Sequence, residues 1–298
     1  MPYHYQLYQF GISSQIALPE LAPAEDQSSE VSIVYGAVLS TITATARQLG
    51  PFLWATEQEF CLQVPGVAAF LVRNGQEIIV ETEAGIDEAS VRVFLLGSAM
   101  GILMFQRRYL VLHGNALQVG DACLVCVGPS GAGKSTLAAA LMQRGHRLLA
   151  DDVVPVNAQC QALPGFPRIK LWQDSADKMQ IATGELARIR PDMEKFNLPT
   201  LNAMASSALP IRWVYILSNH NRDEFVFETV RGMRRFPVLQ ENTYRVRFLE
   251  GMALKAHHLS LCAQLSSQIK LVRVTRPNTR FALDELAERI LADAAERA

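Results

Sequence analysis

The chain lacks most of the features that would tie it to a secreted, membrane-spanning or nucleic-acid-binding class. Its five cysteines are odd in number and irregularly spaced, which excludes a disulfide framework. Cys123 and Cys126 stand three apart, but within an apolar run that reads as a strand. Residues i and i+3 of a strand face opposite sides, so these two are expected as buried free thiols rather than as a metal or disulfide pair. A reducing cytoplasm fits that usage. There is no excess of either charge: 28 basic residues against 29 acidic give a formal net charge of −1, which gives no reason to expect nucleic acid or an anionic membrane as partner. The amino-terminus, Met1-Pro2-Tyr3-His4-Tyr5, lacks the basic and apolar regions of a signal peptide. The most apolar stretch, Val93 to Phe105, is too short to cross a bilayer, and it sits inside a longer pattern, Glu88 to Arg108, that reads as a core helix. No internal repeat and no low-complexity tract is present.

What the chain does have is core material: 49% hydrophobic and 19% charged residues over 298 positions, ordinary for a folded enzyme of one large or two modest domains. Residues 1–85 alternate short apolar runs with turn-forming clusters and read as a small, mostly β region. Within it, Asn74-Gly75 between Ala68–Val72 and Ile78–Val80 marks a hairpin. Residues 86–298 read as a second, α/β domain: a helix capped by Asp87, a strand from Tyr109 into His113-Gly114, and a strand Ala122–Val127. A helix from Ser135 follows, stopped by Gly145, then a strand ending in Asp151-Asp152. Further strands (Ile211–Leu217, Glu224–Val230, Leu271–Val274) and helices (Lys255–Ile269, Ala282–Arg297) complete it.

The strongest motif is Gly128-Pro129-Ser130-Gly131-Ala132-Gly133-Lys134-Ser135, a phosphate-binding P-loop flanked by strand and helix as its chemistry requires. The glycines let successive N–H groups of the segment from Gly128 to Thr136 line one concavity, and the helix behind adds its unpaired donors and positive dipole end. Lys134 supplies a point charge to the β- and γ-phosphates, and the Ser135 hydroxyl can ligate magnesium. A nucleoside triphosphate with magnesium is therefore the expected ligand.

Asp151 and Asp152 come sixteen and seventeen positions after Ser135, one helix, turn and strand later, so their strand can return beside the P-loop strand. Two adjacent carboxylates can divide the work, one on magnesium and one accepting a proton from an attacking hydroxyl. On a regular strand they would point to opposite faces, which favours division over shared ligation. His113, at the end of the preceding strand, is expected at the same sheet edge.

His113-Gly114, the P-loop and Arg144-Gly145-His146-Arg147-Leu148-Leu149-Ala150-Asp151-Asp152 together resemble the catalytic domain of HPr kinase/phosphorylase, over about residues 110–156. The resemblance implies a P-loop kinase fold of the HPr kinase and phosphoenolpyruvate carboxykinase type over residues 86–298, using ATP and Mg2+. It implies Lys134 and Ser135 on phosphate and metal, Asp151 as base, Asp152 as the metal-side carboxylate, and His113 assisting near the reacting phosphate. It also makes self-association an expectation. The family's E-V-R-G-x-G signature is missing: Pro164-Gly165-Phe166-Pro167-Arg168-Ile169-Lys170-Leu171-Trp172 stands in its place. The family's metal-side glutamate, its phosphorylase activity and its HPr substrate are therefore not carried over. That segment, with Phe10–Ser14 and Leu18–Leu21, is similar to a divergent branch that includes lasso-peptide precursor serine kinases, which phosphorylate a serine of a ribosomally made peptide.

Arginines cluster at Arg231, Arg234 and Arg235 and again at Arg245 and Arg247. Arg235, Arg245 and Lys170 are the candidates for a clamp on phosphate or substrate. Three functions remain open at this level: a peptide or protein serine kinase, a kinase for a small hydroxylated molecule, and a non-catalytic ATP-dependent binding partner. The paired aspartates count against the last.

Overall fold

The structure, a computed structural model, describes residues 1–24, 28–189, 193–200 and 204–296. It is mixed α/β with a strand-rich amino-terminal part, and divides into a first unit, Met1–Val111 with Tyr244–Leu261, and a second, Leu112–Thr243 with Cys262–Ala298. The first unit thus takes in the helices that follow β8 as well as the strand-rich region expected over residues 1–85.

The first unit holds β1 (Tyr3–Leu7), β2 (Phe10–Ser14), β3 (Val31–Tyr35), β4 (Arg47–Gly50), β5 (Leu53–Ala55), β6 (Glu59–Val64), β7 (Ala68–Arg73) and β8 (Glu77–Thr82). They form one eight-stranded sheet in the order β1-β2-β3-β8-β7-β6-β5-β4. The Asn74-Gly75 hairpin is present between β7 and β8, with both residues at positive φ (53° and 65°). Next come α1 (Glu88–Phe94) and α2 (Met100–Gln106), joined by a single π-turn at Leu95–Ala99. Asp87 caps α1 as expected, accepting from the Ser90 N–H at 2.8 Å. The stretch Glu88–Gln106 is long and apolar enough to cross a membrane, but it is mostly buried as a core helix. Leu95, Leu96, Ile102, Leu103 and Met104 are at most 1% exposed. Both helices fall within the first unit. Tyr244 belongs here too, its ring filling the space beside Gly101, where a Cβ would come within 2.9 Å of it.

The second unit is built on β9 (Leu110–Val119), β10 (Ala122–Val127), β11 (Arg147–Val156), β12 (Gln161–Ala162), β15 (Leu209–His220), β16 (Val226–Thr229) and β17 (Lys270–Pro277). The sheet order is β10-β9-β11-β12-β15-β17-β16, with β10 also pairing β15 in parallel. A separate hairpin joins β13 (Arg168–Trp172) and β14 (Lys195–Pro199). The helices are α3 (Lys134–Gln143), α4 (Gln173–Lys178), α5 (Arg235–Glu241) and α7 (Leu283–Ala295), with α6 (Lys255–Gln268) belonging to the first unit as far as Leu261 and to the second from Cys262. Arg297, the expected end of the last helix, lies outside the described residues.

The core of this unit gathers Leu124, Leu137, Leu141, Tyr215, Leu217, Val272, Leu286 and Ile290. Each such side chain stabilises the fold by roughly 1.5–3 kcal/mol on burial. Cys123 and Cys126 are wholly buried within β10, and burial pushes the Cys126 thiol up to about 12, so neither is reactive at neutral pH. Helix α3 ends as Gly145 suggests. The Gly145 N–H bonds the Met142 carbonyl (2.9 Å) and the His146 N–H reaches back to Leu141 (3.1 Å), with Gly145 at φ 88°.

Candidate functional site

The strand-to-helix turn after β10 brings the P-loop to the end of the sheet. Gly128 (φ 136°) is required there, because a Cβ would stand 2.4 Å from the Leu217 carbonyl oxygen of β15. Gly131 and Gly133 take φ values of 81° and 98°, the left-handed curl a phosphate nest needs. Gly133 is the amino-terminal cap of α3. The Lys134 ammonium donates to the Gly128 carbonyl (2.8 Å) and the Pro129 carbonyl (3.1 Å), and burial pushes its pKa down.

A cavity of about 130 Å³ opens on this loop. It is lined by Lys134, Ser135 and Thr136 on one side and by His113, Asn115, Asp151, Asp152, Lys170 and Lys195 on the others. The structure therefore brings together the P-loop, His113, both aspartates and Lys170. Gly114, between His113 and Asn115, lets β9 approach β10 closely: a Cβ there would meet the Cys126 carbonyl oxygen at 2.2 Å. His113 Nδ1 lies 3.1 Å from the Asp152 carbonyl oxygen and 3.3 Å from its Oδ1. Both are acceptors, so Nδ1 carries the proton.

The aspartates do not alternate as a regular strand would. Asp152 sits at φ 70°, in the left-handed region. That one residue breaks the two-residue period of β11 and lets both carboxylates reach the same cavity. Lys170 addresses the two at once, its backbone N–H to Asp151 Oδ2 at 2.8 Å and its ammonium to Asp152 Oδ2 at 2.7 Å. The Asn115 amide donates to Asp151 Oδ1. The Pro164–Pro167 segment explains how Lys170 arrives there. The Gly165 N–H bonds the Leu149 carbonyl at 2.7 Å, seating the turn against β11 just ahead of the aspartates, and β13 follows directly.

These surroundings push the two carboxyls apart. Burial, and then the charge of Asp152, raise the Asp151 pKa above that of an ordinary aspartate. Burial would raise Asp152 as well, but the Lys170 ammonium and His113 outweigh it and hold that carboxyl well below the usual range. Lys170 itself is raised: burial alone would lower it, and the Asp152 carboxylate prevails. Lys195 is lowered by burial and by the neighbouring Lys170, and its ammonium stands 5.3 Å from the Trp172 ring.

Sequence reasoning missed Lys195 and Asn115. Asn115 was within reach, since it shares a strand face with His113 two residues earlier. The candidate clamps Arg235 and Arg245 do not line this cavity. The Arg235 guanidinium donates to the Ile269 carbonyl, and Arg245 lies in the first unit against the rings of Tyr244 and Phe248. Among the described residues, no group of three His, Cys, Asp or Glu could hold a metal ion unaided. The donors present, a Ser135 hydroxyl and carboxylates beside a phosphate cradle, fit magnesium delivered with a nucleotide, which keeps its waters and takes only one or two protein carboxylates.

Fold and site together define an α/β protein with a P-loop motif and a carboxylate pair lining one cavity. Residues 106–170 match the HPr serine kinase C-terminal domain. The HPr kinase/phosphorylase of Chlorobium phaeobacteroides is 35% identical over 94 residues, 31% of this chain and 23% of that protein. That of Limosilactobacillus reuteri is 31% identical over 107 residues, covering 32% and 33%. That of Caldanaerobacter subterraneus is 45% identical over 47 residues, covering 16% and 15%. The Hpr(Ser) kinase/phosphatase structure from Coxiella burnetii superposes with a TM-score of 0.29 at 14% identity, covering 62% of this chain and 95% of that one. The chain is HPr-kinase-like in the segment that builds the site, and it spans no more than a third of these curated relatives' length.

Proposed function

We propose that the chain is an ATP-dependent kinase that transfers the γ-phosphate to a serine hydroxyl of a peptide or protein. The proposed acceptor is a ribosomally made precursor peptide of the lasso-peptide kind. One observation carries this reading: a phosphate cradle with its lysine and a carboxylate of raised proton affinity line a single cavity. Pure nucleotide binding needs no such base, whereas transfer to a hydroxyl does.

In this reading the P-loop from Gly128 to Thr136 and Lys134 hold the triphosphate, and Ser135 with Asp152 would hold magnesium, which neutralises phosphate charge. The acceptor oxygen attacks the γ-phosphorus, the bond to the β–γ bridging oxygen breaks, and the hydroxyl proton passes to Asp151. Asn115 and the Lys170 N–H hold that carboxylate in place. His113 fixes Asp152 through its carbonyl and carboxylate. A cytoplasmic location and self-association belong to the same reading.

The test is mass spectrometry of peptides encoded beside the gene after incubation with Mg-ATP and the protein. A phosphate gain on serine with wild type and none with Asp151→Asn is expected. Near-normal turnover by Asp151→Asn would remove the base assignment. ATP turnover with no peptide modified would shift the acceptor to a small hydroxylated molecule.

A further inference from the structure

Two of the arginines that cluster in the sequence, Arg231 and Arg234, do not line the phosphate cavity. They line a separate cavity of about 270 Å³ in the second unit, together with Arg273, Glu228, Thr229 and Val238. Strand register brings the third arginine there. Glu228 of β16 stands opposite Arg273 of β17, so both side chains rise on one face of the ladder. Phe227 packs into the core on the reverse face. Arg231, Arg234 and Arg273 are exposed, and among the described residues none of them has a carboxylate within salt-bridge distance. Three guanidinium charges thus meet a single carboxylate in one cavity, in a chain whose net charge is −1. Beside that cavity the sheet is open: β16 is its last strand, and Val226, Glu228 and Thr229 are exposed. The Val230 N–H bonds the Leu271 carbonyl at 2.8 Å. By the alternation of an antiparallel ladder, Phe227 and Thr229 therefore turn their N–H and C=O groups outward.

We propose that the outer edge of β16 and the arginine cavity beside it dock an extended acidic segment of a partner protein. The segment adds a strand to the sheet and sets aspartate or glutamate side chains against Arg231, Arg234 and Arg273. Backbone pairing with the open edge supplies affinity, and the arginines supply the choice of sequence. Successive side chains of a strand alternate between faces, so the acidic residues belong at every second position of the segment. Guanidinium forks suit carboxylates, which they take through paired N–H bonds. A second copy of the same edge is the wrong occupant, because pairing β16 with itself brings arginine against arginine. Nucleic acid is anionic too, but it has no strand to pair with the free N–H and C=O groups. Met233, 89% exposed between Arg231 and Arg234 in sequence, adds an apolar contact for the same segment. None of these residues lines the phosphate cavity, so the surface stands apart from the kinase reading.

Fluorescence anisotropy of the full chain with labelled peptides tests this. The probe is a short peptide alternating glutamate with threonine. Its controls carry lysine for glutamate, or proline for threonine, which removes the backbone donors that a strand needs. An oligothymidylate of similar length is the nucleic-acid arm. Wild type should bind the glutamate–threonine peptide at least tenfold more tightly than either peptide control or the oligonucleotide. The triple variant Arg231→Glu, Arg234→Glu, Arg273→Glu should lose that binding at least tenfold and gain affinity for the lysine peptide. All three side chains are exposed, so the variant should melt near wild type, and its new affinity for the lysine peptide reports a folded edge directly. Equal binding of the proline peptide would overturn strand addition. Unchanged binding by the triple variant would overturn the arginine cavity as the docking site. Tighter binding of the oligonucleotide would assign the surface to nucleic acid instead, and binding of no probe by wild type would remove the docking surface altogether.

Discussion

The Lys170 ammonium stands 2.7 Å from Asp152 Oδ2, and the backbone N–H of the same lysine bonds Asp151. One residue of the β13 hairpin therefore sets the charge of one carboxylate and the position of the other. The Lys170 and Asp152 side chains are 11% and 27% exposed, so water screens the pair only in part. Lys170→Met should cost about 1–3 kcal/mol in urea denaturation, below the 3–5 typical when a fully buried pair is broken. A double-mutant cycle with Asp152→Asn should recover part of that loss, because the second change removes the stranded carboxylate. Strict additivity would show that the two side chains are not coupled.

The depressed Asp152 carboxyl makes a signed pH prediction. A carboxyl that is more acidic folded than unfolded binds fewer protons in the native state. It contributes stability that is complete above the ordinary aspartate value, 3.8, and lost as pH falls through the lower folded value. Asp151 has the opposite sign: its raised pKa means that ionising it costs stability as pH rises past 3.8. Denaturation midpoints measured down through the acid range should thus show a loss that Asp152→Asn flattens and Asp151→Asn does not.

Local signals in the sequence were enough to read the P-loop, the hairpin at Asn74-Gly75 and the helix stop at Gly145. In each, a glycine or its neighbour needs positive φ at a place marked by the adjoining residues. The position of the aspartates was legible, but not their orientation. Strand alternation assigns Asp151 and Asp152 to opposite faces, and a single left-handed residue, Asp152, undoes it. Aspartate tolerates that conformation without announcing it. Lys195 was hidden for another reason. It reaches the cavity through pairing of Trp172 with Lys195 across a long connection, and no local pattern encodes that register.

Asn115 offers a test of how the base is held. Its amide donates to Asp151 Oδ1, which favours the ionised carboxylate. Asn115→Ala should move the acid limb of the kcat profile to higher pH and lower the plateau about tenfold, while ATP affinity stays near wild type. A profile that falls uniformly with no shift along the pH axis would show that the amide does not act on the proton affinity of Asp151.

Gly114 tests whether the approach of β9 to β10 carries the site. An added Cβ would stand 2.2 Å from the Cys126 carbonyl oxygen, which belongs to the backbone and cannot swing aside. Gly114→Ala should therefore force the two strands apart at the rung that holds His113 beside the P-loop, at a cost of about 1–3 kcal/mol or more. Gly120→Ala, in the turn joining the same strands, is the control. Its φ is 62° but nothing lies within 4 Å of the added Cβ, so only the backbone preference is lost, about 1–2 kcal/mol. Both variants should melt earlier than wild type. Only Gly114→Ala should also weaken binding of ATP and tripolyphosphate together, since the strand it displaces is the one that delivers the phosphate loop. Equal melting losses with intact binding in both would mean that β9 can yield at Gly114 without moving the cradle.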